Sequence, residues 1–474
     1  MNSARGIALS ALVLSTVAIA ACGGSGTSPG GPNQIALRGA APGVTPHAWA
    51  RGSVSIGPAK IQHVVFVIQE NRSFDNIFGG LDDKGNPFPG ADSVSNEFPG
   101  EPTPVNHLGY PVQMVSGALK DCYSAAHDRP QAVGEIDGGK MDGFDLEDVG
   151  KLKCAPGTPP PDYVYQTVRY ADVKPYWQMG EQYAISDRMF ESILSSSFGA
   201  HLFLAAGQSG HVYDYPSKSP WGCDSPATST TAIIDEGTGK VGRGPYPCFY
   251  FPSFPDELDA QHISWRYYAA QTGDYGYLWS VLDAFGRIRL GPEWTTNVIG
   301  PPAQFVTDVA NGKLAGMTWV TPTNKTSDHP ESSSNLGPAW VASVVDAVGQ
   351  SSFWDSTAIL IVWDDWGGWY DHVPPPSINQ AGFGLRVPFV VVSPYVKHAY
   401  VSHTVHSFGS MLHFAEEMLG APTLGQEDAF DDDLSDMFDL TQTPAPFKPF
   451  ASSRSRARAR AAAAEAHEPP PDDD

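Results

Sequence analysis

Ile61-Gln-His-Val-Val-Phe-Val-Ile-Gln-Glu-Asn-Arg-Ser-Phe-Asp-Asn-Ile-Phe-Gly79 changes character half-way along. Val64 to Ile68 is an unbroken apolar run, and Glu70, Asn71 and Arg72 follow it at once. A run with no polar alternation suits a strand covered on both faces, as in a parallel sheet. Ala358-Ile-Leu-Ile-Val-Trp-Asp-Asp-Trp-Gly-Gly368 repeats the pattern, apolar through Trp363 and then Asp364 and Asp365. Gly316–Val320 and Phe389–Ser393 are further runs of this kind, whereas Pro338–Val348 and Phe408–Leu419 carry apolar residues at helical spacing. Strands alternating with helices predict an α/β fold with a mainly parallel central sheet flanked by helices. The Gly- and Pro-rich stretches 79–120 and 209–250 are expected to roof one edge as long loops.

Ligands of open α/β sheets bind beyond the carboxyl ends of the strands. Glu70, Asn71, Asp364 and Asp365 are therefore expected to converge. Three carboxylates at one point repel one another, and a bound divalent cation resolves the conflict. Oxygen ligands favour Mg²⁺, Ca²⁺ or Mn²⁺, and Zn²⁺ also accepts carboxylates. Either motif alone also fits ordinary polar turn residues after a strand; the pair together points to one divalent metal ion.

Outward from this core the chain changes composition. Arg5, an apolar stretch from Ile7 to Ala21 and then Cys22-Gly-Gly-Ser-Gly describe an export signal over residues 1–21. Ile19-Ala-Ala-Cys22 resembles a bacterial lipoprotein cleavage site, so Cys22 is the expected point of lipidation and membrane attachment, with secretion without an anchor as the alternative. Residues 22–59 read as a lipidated Gly/Ser/Pro-rich tether, 60–449 as the folded domain, and 450–474, with its Arg-Ser-Arg and Ala runs, as a low-complexity disordered tail. The four cysteines after Cys22 are an even number in an exported chain, which favours disulfides. Proximity pairs Cys122 with Cys154 and Cys223 with Cys248. A zinc site would want a CxxC or HxxxH spacing, and none accompanies them. The 52 acidic against 29 basic residues give a net charge of −23, which argues against a nucleic-acid partner. Nothing in the sequence implies a protein partner.

The two opening motifs are joined, in chain order, by Gly139-Lys-Met-Asp-Gly-Phe144, Ile263-Ser-Trp-Arg-Tyr-Tyr268, Ser327-Asp-His-Pro330, Trp369-Tyr-Asp-His-Val-Pro-Pro-Pro376 and Arg386-Val-Pro-Phe-Val-Val-Val-Ser-Pro394. The series resembles the bacterial phosphoesterase family of phospholipases C and secreted acid phosphatases, across nearly the whole domain. The resemblance implies an alkaline-phosphatase-like three-layer sandwich, mainly parallel, with long loops over a metal at the strand ends. It also implies a nucleophile within Leu194-Ser-Ser-Ser-Phe-Gly-Ala-His-Leu202. Alignment on Phe198, His201 and Leu202 selects Ser197, with Ser196 the lesser candidate because the family's Gly-Pro and Pro-Asn around it are changed here. Ser197 then joins Glu70, Asn71, Asp364 and Asp365 at the metal. A serine hydroxyl becomes a strong nucleophile beside a cation, which also polarises a phosphoryl oxygen.

By the same resemblance, His127 and His329 are the catalytic histidines, contacting phosphate or protonating the leaving group. His372 is expected behind the site, His403 and His406 stay unassigned, and Asp328 either orients a neighbour or faces solvent. The implied reaction is hydrolysis of phosphate esters through a phosphoserine. The chain stops soon after its catalytic domain, unlike larger phospholipases C, which tilts the expectation towards an acid phosphatase acting on monoesters; the alternative is a phospholipase C. Two other classes compete. A serine esterase needs Gly-x-Ser-x-Gly, and Gly207-Gln-Ser-Gly210 lacks that spacing. A ligand-binding surface lipoprotein fits the leader and tether but would not depend on Ser197.

Overall fold

The computed structural model describes residues 60–97, 104–332, 334–450 and 453–464. The export segment, Cys22 and the tether lie outside the described residues. Eight strands form the central sheet: β1 His63–Gln69, β2 Ala184–Ser186, β3 Trp265–Tyr268, β4 Val298–Ile299, β5 Met317–Val320, β6 Thr357–Trp363, β7 Phe389–Val392 and β8 Tyr400–Ser402. Their order is β4-β3-β5-β1-β6-β7-β2-β8. Only β7 runs antiparallel to its neighbours; the other pairings are parallel. The two longest strands, β1 and β6, sit side by side in the middle, and every residue of β6 is buried. Their continuous apolar runs follow from burial on both faces.

Helices of ten residues or more among the described residues are α1 Tyr170–Gln182, α2 Ser197–Ala206, α3 Gly337–Gly349, α4 Phe408–Leu419 and α5 Ser453–Ala464. Side chains alternate across a sheet, so two contacts sort the layers. Trp319, registered with Phe66, donates its indole N–H to Leu204 O of α2 at 3.1 Å. Trp363, registered with Gln69 on the opposite pleat, packs edge-on against Tyr176 of α1, with ring centroids 4.8 Å apart. Helix α4 packs with α2, and α3 packs with α1 and α5. The result is the expected three-layer α/β sandwich.

Helix α5 departs from the disordered tail expected over 450–474. Its Ala459 and Ala463 are fully buried, and it packs on α3. The Ala run that marks low complexity is also the strongest helix former, and its small side chains allow close approach.

A second, smaller core lies over the carboxyl ends of the strands. Tyr123, Phe144, Tyr163 and Tyr165 pack there with Trp366 and Tyr370, from the turn after β6. Both disulfides form as paired by proximity, with Cα–Cα separations of 5.3 Å for Cys122–Cys154 and 4.5 Å for Cys223–Cys248. The first spans a hairpin of Tyr123–Ala125 with Val149–Lys151 in this roof. Among the described residues no helix is long and apolar enough to cross a membrane.

Candidate active site

Strand register brings the acidic residues together. Gln69 pairs with Trp363 at the ends of β1 and β6, so Glu70 and Asp364 leave the sheet side by side. The next residues are cross-linked: Asp364 N–H donates to Gln69 O at 3.0 Å and Arg72 N–H to Asp365 O at 2.9 Å. Between them Asn71 takes a left-handed backbone, φ 60°, which is costly for a residue with a Cβ and is held here by its contacts. Its N–H donates to Asp364 Oδ1 at 2.9 Å and its side-chain amide to Asp365 Oδ1 at 2.9 Å. Opposite, Gly367 has φ +65°, and a Cβ there would stand 2.2 Å from Asn71 O. Only glycine fits the turn.

Glu70, Asp364 and His201 form the centre of the cluster. His201 Nε2 lies 3.2 Å from Glu70 Oε1 and 3.4 Å from Asp364 Oδ2, and ligand atoms of all three fall within 4.8 Å of one another. Glu70 Oε2 and Asn71 Oδ1 are buried without a hydrogen-bond partner. Burial and the neighbouring Asp364 push the Glu70 carboxyl well above its ordinary range. Burial and the Asp364 charge raise Asp365 to about 7. A site with this much unmatched negative charge and these unpaired oxygens fits a divalent cation. His201 is absent from the ligand set expected from sequence. A signal existed: it lies four residues after Ser197, and positions i and i+4 share a helix face.

Ser197 is the first residue of α2 and is buried at 1 % exposure. Its hydroxyl donates to Asp365 Oδ2 at 2.7 Å. Ser196 turns instead to Asp214 Oδ1 at 3.3 Å, and Ser195 to Ser196 O at 2.9 Å. Ser197 therefore stands at the acidic cluster and at a helix N-terminus, where the backbone dipoles favour negative charge.

The roof contributes His127 and the loop after β5 contributes His329, with ring centroids 5.7 Å apart. Gly368, φ +75°, lets the roof settle on the β6 turn, since a Cβ there would stand 2.5 Å from Ala125 Cβ. His127 Nδ1 donates to Ala125 O at 2.9 Å, leaving Nε2 as the ring's other proton position. Burial lowers its pKa, but the Asp365 carboxylate and that hydrogen bond outweigh burial and hold it above its ordinary value. His329 Nδ1 accepts the Glu331 N–H at 3.2 Å, so its proton sits on Nε2. Burial lowers His329 to about 4, against the pull of Glu331. Charge is thus favoured on His127 and disfavoured on His329. A cleft of about 510 Å³ lined by His127, Asp128, Tyr215 and Glu331 adjoins them.

The phosphoesterase family model matches residues 61–422. The chain belongs to the phosphoesterase family. It is 24% identical to phospholipase C B of Mycobacterium tuberculosis over 445 residues, covering 82% of this chain and 80% of that protein. It is 24% identical over 407 residues to the non-hemolytic phospholipase C of Burkholderia pseudomallei, covering 75% of this chain but only 55% of the relative. Non-specific phospholipase C6 of Arabidopsis thaliana is 24% identical over 379 residues, covering 72% and 63%. Among solved structures, an alkaline phosphatase superfamily protein from Vibrio parahaemolyticus aligns over 85% of this chain and 87% of its own, at 10% identity and a TM-score of 0.35.

Other motif residues of this phosphoesterase hold the site rather than face it. Gln69 fastens the loop that carries His329, accepting Asp328 N–H at 2.9 Å and donating to Thr326 O at 3.0 Å. Asp328, open from sequence, accepts Tyr176 O–H at 2.7 Å and Trp363 N–H at 3.1 Å, which fixes the residue just before His329. His372 bridges Asp75 and Asp92 at 2.6 and 3.0 Å. His403 reaches Asp187 at 2.9 Å and His406 reaches Asp432 at 2.9 Å.

Proposed function

We propose that this phosphoesterase cleaves phosphate esters with Ser197 as nucleophile, through a phosphoserine. The observation that carries the reading is the 2.7 Å hydrogen bond from Ser197 to Asp365, beside the Glu70–His201–Asp364 cluster. Asp365, raised to about 7, is a base matched to neutral or mildly acidic solution. It takes the Ser197 proton as Oγ attacks phosphorus in line with the leaving oxygen. His127, whose protonated form the Asp365 carboxylate and the Ala125 carbonyl favour, gives its Nε2 proton to the departing alkoxide. The neutral His329 donates its Nε2–H to a non-bridging oxygen. In the second half, His127 takes a proton from water, the resulting hydroxide displaces Ser197 Oγ, and Asp365 returns the serine proton. A divalent cation, held by Glu70, Asp364 and His201 with Asn71 and Asp365 beside them, supplies Lewis-acid polarisation and offsets the charge. An imidazole among oxygens suits Mn²⁺ or Zn²⁺ better than Ca²⁺.

The enclosed serine supports a small phosphate monoester as first reading. A phospholipid diester is the second, favoured by relatives named phospholipase C. The two disulfides support an oxidising compartment, and with the leader they favour an exported protein anchored at Cys22. Release from p-nitrophenyl phosphate and p-nitrophenyl phosphorylcholine, compared in wild type and Ser197→Ala, tests the scheme. Release from the monoester alone supports a phosphatase, and release from the diester supports a phospholipase C. Activity that survives Ser197→Ala refutes the nucleophile, and no release from either ester revives the binding-lipoprotein reading.

A further inference from the structure

Glu191 lies six residues before Ser197, on the chain that leads from β2 into the nucleophile turn, and it is fully buried. No motif marks it. Its carboxyl reaches across to the β6 turn, where Oε1 accepts the Trp366 N–H at 3.2 Å. The Glu191 backbone N–H donates to Leu385 O at 3.3 Å, so the segment that runs on to Ser197 is fixed at the same residue. Trp366 directly follows Asp365, and Glu191 opens the stretch that ends at Ser197. The seat is built for this side chain: a Cβ at Gly384 would stand 2.1 Å from Glu191 Oε2, and Gly384 N–H donates to Glu191 O at 2.9 Å. The Ser197–Asp365 hydrogen bond joins the start of α2 to a loop from a distant part of the sequence, and the hydroxyl holds its aim only if both are held.

We propose that Glu191 is a positioning residue, a buried clamp that joins the nucleophile turn to the Asp364–Asp365 turn and sets the aim of Ser197. The clamp rests on the reading of Ser197 and Asp365 given above. It acts through backbone groups and touches neither substrate nor ion.

The test uses the full chain as Glu191→Gln and Glu191→Leu, with Ser197→Ala as reference. Gln keeps the shape and one acceptor for the Trp366 N–H but loses the charge that strengthens that bond. Leu cannot accept it at all. Misaiming by a fraction of an ångström predicts a kcat loss of about 10-fold for Gln and about 100-fold for Leu, with KM for p-nitrophenyl phosphate little changed. Mn²⁺ affinity, measured by calorimetry on the metal-stripped protein, should weaken in the same order, because the clamp also holds Asp364 and Asp365. A purely structural role would lower Tm and leave kcat, KM and Mn²⁺ affinity at wild-type values. If Glu191→Leu does not fold, Glu191→Gln decides: wild-type kcat and Mn²⁺ affinity in that variant overturn the clamp. An active Ser197→Ala would sink the nucleophile reading instead, so the two failures are distinct.

Discussion

Asp75 and Asp371 lie as deep in the molecule as Glu70 and Asp364 and follow them closely in the chain, yet the two pairs are neutralised in different ways. Around Asp75 and Asp371 the chain supplies its own cations. Arg386 Nε lies 3.0 Å from Asp371 Oδ1 and its Nη2 lies 3.3 Å from Asp75 Oδ1. His372 closes on Asp75 Oδ2 at 2.6 Å, and backbone N–H groups of Val94, Asp75 and Val373 fill the remaining acceptor positions. Around Glu70 and Asp364 the basic side chain in contact among the described residues is His201, and oxygens are left over. Buried charge must be matched from inside or from solution. The first cluster is a strut and the second is a socket.

Several substitutions test that contrast, the largest effect first. Ser197→Ala should lower kcat at least ~1,000-fold without unfolding the protein, as loss of a covalent nucleophile does in other hydrolases; steady-state kinetics beside a melting curve check both halves. Arg386→Met should cost about 3–5 kcal/mol, because it removes the guanidinium that two buried carboxylates share; urea unfolding reads it. Asp364→Asn should behave in the opposite sense. It removes like-charge repulsion, so the metal-stripped variant should melt no lower than stripped wild type, while the Tm rise on adding Mn²⁺ disappears. A stripped Asp364→Asn that melts well below stripped wild type would make the socket a strut.

The strut should also carry a pH signature. Burial opposes charge on His372, but Asp75 and Asp92 prevail and raise it to about 9. A histidine raised in the folded state contributes stability that is fully present below its unfolded value, about 6.5. That contribution is lost as pH climbs from there through about 9. Wild type should therefore lose about 2–3 kcal/mol across this window, and His372→Gln should flatten the curve; urea midpoints at pH 6 and pH 9.5 suffice. The smallest effect is expected at Ser196→Ala, whose hydroxyl faces Asp214. Its kcat should stay within about twofold of wild type, as for a hydroxyl outside the reacting groups. A large loss would return the nucleophile question to Ser196.

Much of the fold was legible because it is local. The apolar runs ending in Glu70-Asn71 and Asp364-Asp365 announce buried strands with acidic ends, and helices Pro338–Val348 and Phe408–Leu419 stand within a residue of where their spacing puts them. Both disulfide pairings follow from nearness in the chain. What was not legible is directional. His201 read as an anchor of alignment until the helix aimed its ring at Glu70. Asp364 and Asp365 are adjacent and chemically alike, but one turns to His201 and the other to Ser197. Glu191 has no motif, since its partners are backbone amides of loops that meet only in the folded chain. The alanine tail looked featureless because a helix of small residues shows its purpose only against the surface it covers.

The sequence by itself determined the chemistry available: carboxylates at two strand ends, a serine-rich turn, and histidines to manage protons. Periodicity and burial are properties of each segment, so they can be read one segment at a time. Tertiary structure decided which carboxylates are matched by the protein's own cations and which are left for an ion from solution. That difference depends on a few ångströms between residues as far apart as Asp75 and Arg386, and no local pattern encodes a distance across the fold.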